Sequence, residues 1–326
     1  MDATIRDVAS ASGVSASTVS RAFGRPDKVD EHTRQRVLRA AEALDYQPNR
    51  AAQSLITGRT GNIGIVVPDL VNPFFSSVVK GAQTRAHELG HPVLLADSDE
   101  DPSAELRLGR TLARQVDGLI LCSPRMSELE LREAQRLCPV VLVNRRVAGI
   151  PAITIDNAGG IRQAVTHLRA LGHRRVGYVA GPVTSYSNAE RQDATAHHLD
   201  TAGMAYVLIG SFDPSFEGGS DAADEVLLAD VSAVIVYNDV MAIGLVSRLT
   251  AYGVAIPAEL SVIGFDDIPF NSMITPSLTT VWIPREQAGR AAVDHLHALL
   301  TRPGDIEPSP ELSTELVVRG TSARSR

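Results

Sequence analysis

Residues 4–50 read TIRDVASASGVSASTVSRAFGRPDKVDEHTRQRVLRAAEALDYQPNR, and this stretch decides the fold of the N-terminal part of the chain. Its first apolar residues, Ile5, Val8 and Ala9, recur at the spacing of one face of a helix. The pair Ser12-Gly13 follows them, and glycine tolerates the positive φ that a tight turn requires. The pattern therefore predicts a short helix that ends at a turn.

Two further helices are predicted after this turn. Ser15 can cap a second helix whose buried side carries Val19, so the first two helices form a helix-turn-helix pattern. Asp30 can cap a third helix. The apolar stripe of this third helix consists of Val37, Leu38, Ala41 and Leu44. Three short helices that share one core predict an all-α helix-turn-helix headpiece.

The N-terminal part of the second helix is the candidate DNA-reading surface. If this helix lies in the major groove of DNA, Ala16, Ser17, Ser20 and Arg21 point at base edges and phosphates. Short motif matches carry a real risk of false positives, and any small three-helix domain shows such apolar stripes. The pattern alone therefore leaves a purely structural three-helix bundle open.

Five short motifs resemble the LacI/GalR family of bacterial transcriptional regulators, and the resemblance continues almost to the end of the chain. The motifs are DVA at 7–9, GVS at 13–15, STVSR at 17–21, TR..V..A...L.Y.PN at 33–49 and R.AQSL at 50–55. The resemblance implies that Ala16, Ser17 and Arg21 read operator bases, with only a methyl contact from the alanine. The predicted DNA-binding residues are Thr4, Ser15, Ala16, Ser17, Thr18, Ser20, Arg21, Asn49, Arg50, Gln53 and Leu55.

Residues 48–59 are predicted to form a hinge helix with its linker. Asn49 can cap a helix that runs to Thr57, where Gly58 is a stop signal. Roughly eight residues are fewer than the ~12 to 15 that an isolated helix needs in water, so this helix should fold only when something holds it. The resemblance implies that two such helices pair in the minor groove, with Leu55 wedged between base pairs. A plain linker with helical propensity is the alternative.

The N-terminal 60 residues and the rest of the chain differ in the sign of their net charge. Residues 1–60 contain nine basic and seven acidic side chains, whereas the remaining residues contain 22 basic and 31 acidic ones. The acidic bulk cannot itself be a DNA surface. A headpiece with so small a basic surplus should bind DNA weakly as one copy, which favours two headpieces that act together in a homodimer.

Composition and motifs predict a cytoplasmic protein without a cofactor, a metal site or a catalytic site. No apolar segment follows a basic N-terminus, and no run approaches the ~18 apolar residues of a membrane span. Cys122 and Cys138 fit a reducing compartment, each as a small buried hydrophobe. Common nucleophile and phosphate-loop motifs are missing, and neither His197-His198 nor His295-x-His297 shares one helix face, as metal ligands would.

From residue 61 onward, short apolar runs alternate with helical stretches. The runs are 63–68, 93–96, 118–121, 140–143 and 153–155, and then 176–180, 206–209, 233–236, 261–265 and 280–283. They are rich in β-branched residues and too continuous to be half-exposed, so they predict central strands of parallel sheets with helices on both faces. The expected fold of this part is an α/β core of two doubly wound lobes.

A helix at 284–300 and a strand at 316–318 follow the second series of strands. The resemblance extends to periplasmic sugar-binding proteins, which share this core, and implies that the chain recrosses between the lobes here. Three crossings would then form a hinge. The predicted domains are the headpiece at 1–47, the hinge helix and linker at 48–59, an N-terminal lobe at 60–157 with 285–312, and a C-terminal lobe at 158–284 with 313–326.

Polar residues follow nearly every predicted strand, at the edge where open parallel sheets bind ligands. Carboxylates, amides and an arginine suit a polyhydroxyl ligand, while an aromatic face can cover the apolar hydrogens of a sugar ring. The predicted effector-binding residues, which combine these strand ends with positions that resemble family contacts, are Asn72, Phe74, Phe75, Asn144, Arg145, Ser187, Arg191, Asn238, Asp266 and Trp282. A sugar-like effector is therefore expected.

Two of these positions depart from the family pattern. Asn144 stands where ribose-binding relatives place an aspartate, and Trp282 stands where they place a glutamine. The departures imply a ligand other than ribose, with a larger or less polar edge stacked on the tryptophan. Each polar residue also has a structural alternative, because Asp and Asn at strand ends commonly cap helices. Trp282 and one of Phe74 and Phe75 can equally well pack in a core.

Taken as a whole, the sequence predicts an effector-controlled repressor that binds pseudo-palindromic operator DNA as a homodimer. Closure of the lobes on the ligand would weaken or strengthen the pairing of the hinge helices. Dimerisation is expected to use the helices after Asn72 and Pro102, and the lack of a heptad tail argues against a tetramer. The alternatives are a cytoplasmic sugar-sensing protein that does not bind DNA, and a sugar-modifying enzyme, for which no base and nucleophile are found.

Overall fold

The computed structural model describes residues 3–24, 28–46, 58–302 and 310–325. The chain divides into two compact units, one formed by residues 1–62 with 115–117 and one formed by 63–114 with 118–326. Each unit has its own hydrophobic core.

The first unit is a three-helix domain, as the sequence predicts. Its helices are α1 (Ile5–Ser12), α2 (Ala16–Gly24) and α3 (Glu31–Ala43). Gly13 takes a φ of 64° between α1 and α2, so the turn uses the left-handed conformation that glycine favours. The predicted caps are also present: Ser15 accepts a hydrogen bond from Thr18 N–H at 3.2 Å, and Asp30 accepts one from Thr33 N–H at 3.1 Å.

One buried valine from each helix stands at the centre of the first unit. Val8, Val19 and Val37 are fully buried, so the three helices close a single core. The prediction is wrong for Leu44, which is 37% exposed. Since α3 ends at Ala43, Leu44 lies beyond the helix whose apolar stripe it was expected to continue. The predicted hinge helix falls almost entirely on 47–57, outside the described residues.

The second unit is built on two six-stranded sheets. Its strands are β1 (Ile63–Val67), β2 (Val93–Asp97), β3 (Gly118–Cys122), β4 (Val140–Val143), β5 (Ala152–Ile155), β6 (Arg175–Val179), β7 (Ala205–Ile209), β8 (Ala233–Val236), β9 (Ser261–Asp266), β10 (Thr279–Trp282), β11 (Glu311–Leu312) and β12 (Glu315–Val317). The strand orders are β11-β5-β4-β3-β1-β2 and β12-β10-β9-β8-β6-β7. All pairs are parallel except β10 with β12.

Helices connect these strands and cover the sheets. They are α4 (Pro73–Glu88), α5 (Pro102–Leu112), α6 (Glu128–Leu137), α7 (Asn157–Ala170), α8 (Tyr186–Thr201), α9 (Phe216–Asp221), α10 (Ala223–Leu228), α11 (Asp239–Ala251) and α12 (Arg285–Thr301), with a 3-10 helix at Pro269–Ser272. In each sheet the chain places its second strand on one side of the first strand (β1 or β6) and the following strands on the other side, which is doubly wound topology. The predicted fold class is confirmed. We call the half built on the first sheet the N-terminal lobe and the other half the C-terminal lobe.

Not every predicted strand is buried on both faces. β2 carries exposed and half-buried residues, and β7 does so except at the buried Ile209, whereas β1, β3, β4, β5, β8 and β9 are buried throughout. The expectation of central strands is wrong for β2 and β7, because each of them has a neighbour on one side only. Their sequences are as apolar as those of central strands, so composition does not separate the two kinds.

The described chain passes between the two sheets three times. It leaves the N-terminal lobe after β5, returns through α12 after β10, and leaves again between β11 and β12. α12 packs on α4 so closely that a Cβ atom on Gly81 would lie 2.1 Å from the backbone oxygen of Glu286. A Cβ atom on Gly289 would lie 2.0 Å from the oxygen of Val78. Glycine at both positions is thus what permits this helix contact.

Neither cysteine forms a disulfide bond. Cys122 is buried, as expected, but Cys138 is only half-buried at the end of α6. Burial raises the pKa of Cys122 to about 12 and that of Cys138 to about 11, so both thiols stay protonated near neutral pH. Among the described helices, none is long and apolar enough to span a membrane.

Candidate functional site

The solvent side of α2 carries the residues expected to read DNA. Ser17 and Arg21 are exposed one helical turn apart, and Ala16 and Ser20 are half-buried beside them. Arg21 Nε donates to the backbone oxygen of Ser17 at 3.1 Å, so the guanidinium group lies along the helix surface. This short polar surface, which also presents donors and acceptors from its hydroxyl groups, can reach base edges and phosphates.

Other predicted DNA-binding residues have a local structural role in the first unit. The Ser15 hydroxyl lies 2.8 Å from the Ser17 hydroxyl and 2.9 Å from that of Thr18, at the start of α2. Thr4 donates from both its backbone N–H and its hydroxyl to the carboxylate of Asp7, at the start of α1. These bonds fix the N-terminal ends of both helices. The remaining predicted residues, which are Asn49, Arg50, Gln53 and Leu55, lie outside the described residues.

A narrow cavity lies between the lobes of the second unit, at the carboxyl ends of the strands. Its lining consists of Asn72, Phe74, Phe75, Glu100, Ser123, Arg125, Asn144, Ser187, Arg191, Pro214, Tyr237, Asn238 and Asp266. Eight of the ten predicted effector residues are among them. The structure does not bring Arg145 and Trp282 to this cavity.

Arg191 is held by a hydrogen bond or ion pair at each of its three guanidinium nitrogens. Its Nε donates to Asn157 Oδ1 at 2.9 Å, and its Nη1 donates to the backbone oxygen of Tyr237 at 2.6 Å. Its Nη2 lies 3.5 Å from Asp266 Oδ1, and the guanidinium plane stacks 3.7 Å from the centre of the Phe265 ring. The cation is thus fixed in one orientation, ready to donate to a ligand oxygen.

Two buried carboxyl groups stand at the ends of the strands of the C-terminal lobe. Burial raises the pKa of Asp266, although Arg191 opposes the shift. Burial and then the charge of Asp266 raise the pKa of Asp239, which lies behind the cavity wall. Asp239 accepts hydrogen bonds from Ile268 N–H, Asn271 Nδ2 and Thr280 Oγ1 at 3.0, 2.7 and 2.6 Å. Asp239 therefore braces the loop that follows Asp266.

The asparagines that line the cavity also form hydrogen bonds within the protein. Asn72 caps α4 by accepting from Phe74 N–H at 2.9 Å, and Asn238 caps α11 by accepting from Met241 N–H at 2.8 Å. Asn144 donates to Ser123 Oγ at 3.1 Å. The structural alternative of helix capping thus holds for two of the predicted ligand contacts without removing them from the cavity.

Both phenylalanines of the motif at 72–75 line the cavity. Their rings meet edge to face, with centroids 5.0 Å apart, and both are almost fully buried. The expectation that one of them is core and the other a ligand contact is therefore too simple. The pair forms one aromatic wall at the start of α4.

Arg145 supports a loop instead of lining the cavity. Its Nη1 donates to the backbone oxygens of Pro124 and Met126 at 2.7 and 2.6 Å, which ties it to the connection after β3. Trp282 is the last residue of β10 and pairs with Glu315 of β12, at a crossing between the lobes. It is 36% exposed and pairs on its other side with Asp266 of β9, so it stands beside the cavity without belonging to its lining. Strand ends that look alike in sequence thus face different surroundings.

Sequence reasoning missed Arg125, which enters the cavity from the loop after β3. Its Nε and Nη2 donate to the two carboxylate oxygens of Glu100 at 2.5 and 2.9 Å. Its Nη1 donates to the backbone oxygen of Ser123 at 3.0 Å and lies 3.2 Å from Ser185 Oγ in the C-terminal lobe. Arg125 lies three residues after the end of β3, so the same strand-end position that points to Asn144 after β4 is the signal for it.

Glu105 fixes the backbone of the loop that carries Arg125. Its Oε2 accepts from the backbone N–H groups of Arg125 and Met126 at 2.7 and 3.0 Å. Glu105 is fully buried on α5, and burial raises its pKa to about 7. Its other oxygen, Oε1, has no hydrogen-bond partner, which is consistent with a carboxyl group that carries a proton in part of the population.

A second hollow, of about 410 Å³, lies beside α7 and α8 and is more open to solvent. Acidic and histidine side chains line it, among them Glu190, Asp193, His197 and His198. No buried arginine or aromatic wall converges on it. Across the described residues, no group of three His, Cys, Asp or Glu side chains is arranged to hold a metal ion.

Comparisons with known proteins match both units of the chain. Residues 4–49 match the model of bacterial regulatory proteins of the lacI family, and residues 165–322 match a periplasmic binding protein-like domain. The HTH-type transcriptional repressor CytR of Escherichia coli (strain K12) is 32% identical over 98% of this chain and 96% of its own length. The chain belongs to the LacI family of bacterial regulatory proteins. It is therefore a DNA-binding transcriptional regulator, and the predicted family is confirmed.

Solved structures of the family have the same fold as this chain. The lac repressor dimer bound to operator and the anti-inducer ONPF has a TM-score of 0.85 and 29% identity, and the match covers 99% of this chain and 100% of that one. The complex of the transcriptional regulator CelR with cellobiose has a TM-score of 0.73 and 31% identity, with coverage of 98% and 100%. The LacI-family fold thus accounts for nearly the whole chain.

Proposed function

We propose that this LacI-family chain is a repressor whose affinity for operator DNA is controlled by a sugar-like effector bound between the lobes. The observation that carries the proposal is the enclosed cavity in which Arg191, Asp266 and the wall of Phe74 and Phe75 converge. A fixed guanidinium, a carboxyl group and an aromatic face are the groups that a polyhydroxyl ring requires. Because the cavity as it stands has room for about one water molecule, the lobes must separate to admit a ligand.

The DNA-reading residues are proposed to be those on the exposed side of α2. Arg21 can donate to guanine, Ser17 can donate to or accept from a base, and Ala16 offers a methyl group to thymine. One headpiece presents few such contacts, so we propose that two copies act together on a pseudo-palindromic site. The lac repressor structure is that of a dimer on an operator, which supports this assembly.

The ligand class is proposed from the cavity and supported by a relative. The CelR structure holds cellobiose, a sugar, and this chain has 31% identity to it. We propose cytoplasmic action and no catalysis, since a regulator must reach the chromosome and its known relatives are regulators. The domain boundaries predicted from the sequence stay part of this proposal, as do the roles of the residues at 48–59. A sugar-sensing protein that does not bind DNA is disfavoured, because α2 keeps its full reading surface.

The DNA half of the proposal is tested with a matched pair of variants. Operator sequences are first recovered from a random DNA pool, and affinity is then measured by fluorescence anisotropy. Arg21→Ala should weaken binding about tenfold or more and relax the sequence preference, since one bidentate base contact is worth about 1–3 kcal/mol. Arg39→Ala is the control, because Arg39 makes the same contact to the residue four positions earlier but lies on α3. Equal losses in both variants, or none, would contradict the proposed reading surface.

The effector half is tested by a thermal-shift screen of sugars and nucleosides, followed by operator release or recruitment with the active compound. Arg191→Met should abolish the response while operator binding without ligand persists. Arg248→Met is the control, since Arg248 also stacks on an aromatic ring, that of Tyr252, but lies outside the cavity lining. A full response in Arg191→Met would show that the effector binds elsewhere.

A further inference from the structure

We propose that the effector carries an oxyanion, a carboxylate or a phosphate, which binds Arg125 in place of the Glu100 carboxylate. This inference rests on the proposed function of the cavity and specifies its ligand. In the structure Glu100 occupies the two donors of Arg125 in the fork geometry with which arginine binds carboxylates and phosphates. Glu100 thus stands in for the acidic group of a ligand.

Arg125 is built into the protein, whereas Glu100 stands at its edge. The side chain of Arg125 is 1% exposed and that of Glu100 is 22% exposed. Ser123 and Ser185 accept from the remaining donor of Arg125, and Glu105 fixes its backbone. The cation therefore stays in the cavity when its partner is exchanged.

The backbone of the loop that carries Glu100 is anchored, since Glu100 N–H donates to the oxygen of Pro68 at 2.8 Å, so only the side chain has to move. Asp99 and Glu100 have φ values of 52° and 57°, a left-handed conformation that residues other than glycine rarely adopt in succession. Glu100 side-chain atoms reach solvent on one side, so the carboxylate can move to water without crossing the protein. A buried arginine that loses this partner requires another anion. If an anionic group of the ligand replaces Glu100 on Arg125, the arginine keeps an anionic partner and the Glu100 carboxylate is hydrated.

The charges that face the cavity favour an anion over a neutral sugar. The charged groups of the lining are Glu100, Arg125, Arg191 and Asp266, and Tyr237 adds a phenol hydroxyl that faces Arg125. Arg191 is already opposed by Asp266, so Arg125 is the cation left over when Glu100 turns outward. A neutral sugar would have to leave the Arg125–Glu100 pair in place inside this narrow cavity. The acidic group of a sugar acid or sugar phosphate displaces the Glu100 carboxylate from Arg125 and occupies the position that this carboxylate leaves.

Arg125 also links the two lobes. It belongs to the N-terminal lobe, and its Nη1 lies 3.2 Å from Ser185 Oγ at the start of α8 in the C-terminal lobe. An anion on Arg125 is therefore bound next to the contact between the lobes, which gives it a direct effect on their closure.

The first test needs no knowledge of the effector. Melting temperatures of the full-length wild type, Glu100→Gln and Glu100→Gln/Arg125→Gln are measured in phosphate, in acetate and in chloride of equal ionic strength. Phosphate or acetate should raise the melting temperature of Glu100→Gln by several degrees beyond chloride, because an unoccupied buried cation binds them. The double variant should show no such rise. Equal responses in the two variants would overturn the proposal.

The second test uses the wild type and so does not depend on the folding of a variant. Binding is compared within two sets of sugars, glucose with glucuronate and glucose 6-phosphate, and galactose with galacturonate and galactose 6-phosphate. An acidic member should bind at least about tenfold more tightly than its neutral parent, since hydrogen bonds to charged groups are the strong ones. The two acids of each set separate carboxylate from phosphate. A neutral sugar that binds as tightly as its acids overturns this inference alone, whereas a complete lack of response to sugars, in melting and in operator affinity, counts against the proposed function.

Discussion

Replacing Glu105 by glutamine should change how the stability of the second unit depends on pH. Burial raises the pKa of Glu105 from the ordinary 4.5 to about 7. The folded chain therefore keeps a proton on this carboxyl group at pH values where the unfolded chain has lost it. The stability that goes with this proton is fully present below pH 4.5 and is lost as the pH rises through 7.

The size of the effect follows from the two pKa values. A raised pKa of this size corresponds to about 3 kcal/mol over the whole titration, of which about 2 kcal/mol falls between pH 5.5 and 8. Glutamine does not ionise, and its side-chain oxygen can still accept from the N–H groups of Arg125 and Met126. The Glu105→Gln variant should therefore gain about 2 kcal/mol relative to the wild type when both are moved from pH 5.5 to pH 8.

The assay is urea unfolding at both pH values, followed by tryptophan fluorescence. The chain has one tryptophan, Trp282, so the signal reports the second unit. Glu259→Gln, which changes an exposed carboxyl group, is the control and should leave the difference unaltered. If the free-energy difference between wild type and Glu105→Gln is the same at pH 5.5 and pH 8, the argument from burial is refuted.

Two further predictions concern the packing around the cavity. Asp239→Ala should destabilise the second unit by about 3–5 kcal/mol in urea unfolding, because it leaves three buried donors without a partner. Asp239→Asn should cost about 1 kcal/mol, since one amide oxygen can keep two of these bonds, and equal losses would contradict the role of the carboxylate. Gly81→Ala should cost about 3 kcal/mol or more, because its Cβ would meet the Glu286 backbone at 2.1 Å. Gly109→Ala, where nothing lies within 4 Å, should instead be neutral or stabilise by up to about 1 kcal/mol, and similar melting temperatures for the two variants would show that the helix contact can relax.

The part of the protein that the sequence predicts best is the part governed by neighbours along the chain. The turn at Gly13 and the caps at Ser15 and Asp30 follow from residues no more than four positions apart. The strands after residue 61 are also found by their apolar runs, because a buried strand needs a continuous apolar segment. For the same reason Asn72 and Asn238 are found at strand ends, where an asparagine that caps a helix and one that binds a ligand look the same in sequence.

The errors arise where distant segments meet. β2 and β7 look like central strands in sequence but stand at the edges of their sheets. The order in which strands pair depends on the whole sheet, so the sequence of one strand does not predict it. Arg145 occupies a strand end like those of Asn144 and Asp266, yet its bonds to the loop after β3 take it out of the cavity, whereas Trp282 pairs with Asp266 and stands just outside the lining. Helical spacing and strand runs therefore predict the elements but not which of their ends converge.

The sequence by itself determined a helix-turn-helix headpiece, a two-lobed α/β core and most of the cavity lining, because these depend on local spacing and on strands whose carboxyl ends share an edge. Only the tertiary structure decided which charged side chains meet inside the cavity. Glu100 and Arg125 are 25 residues apart, and Arg125 and Ser185 are 60 apart. A buried ion pair depends on which loops fold against each other, and no periodicity in the chain records that choice.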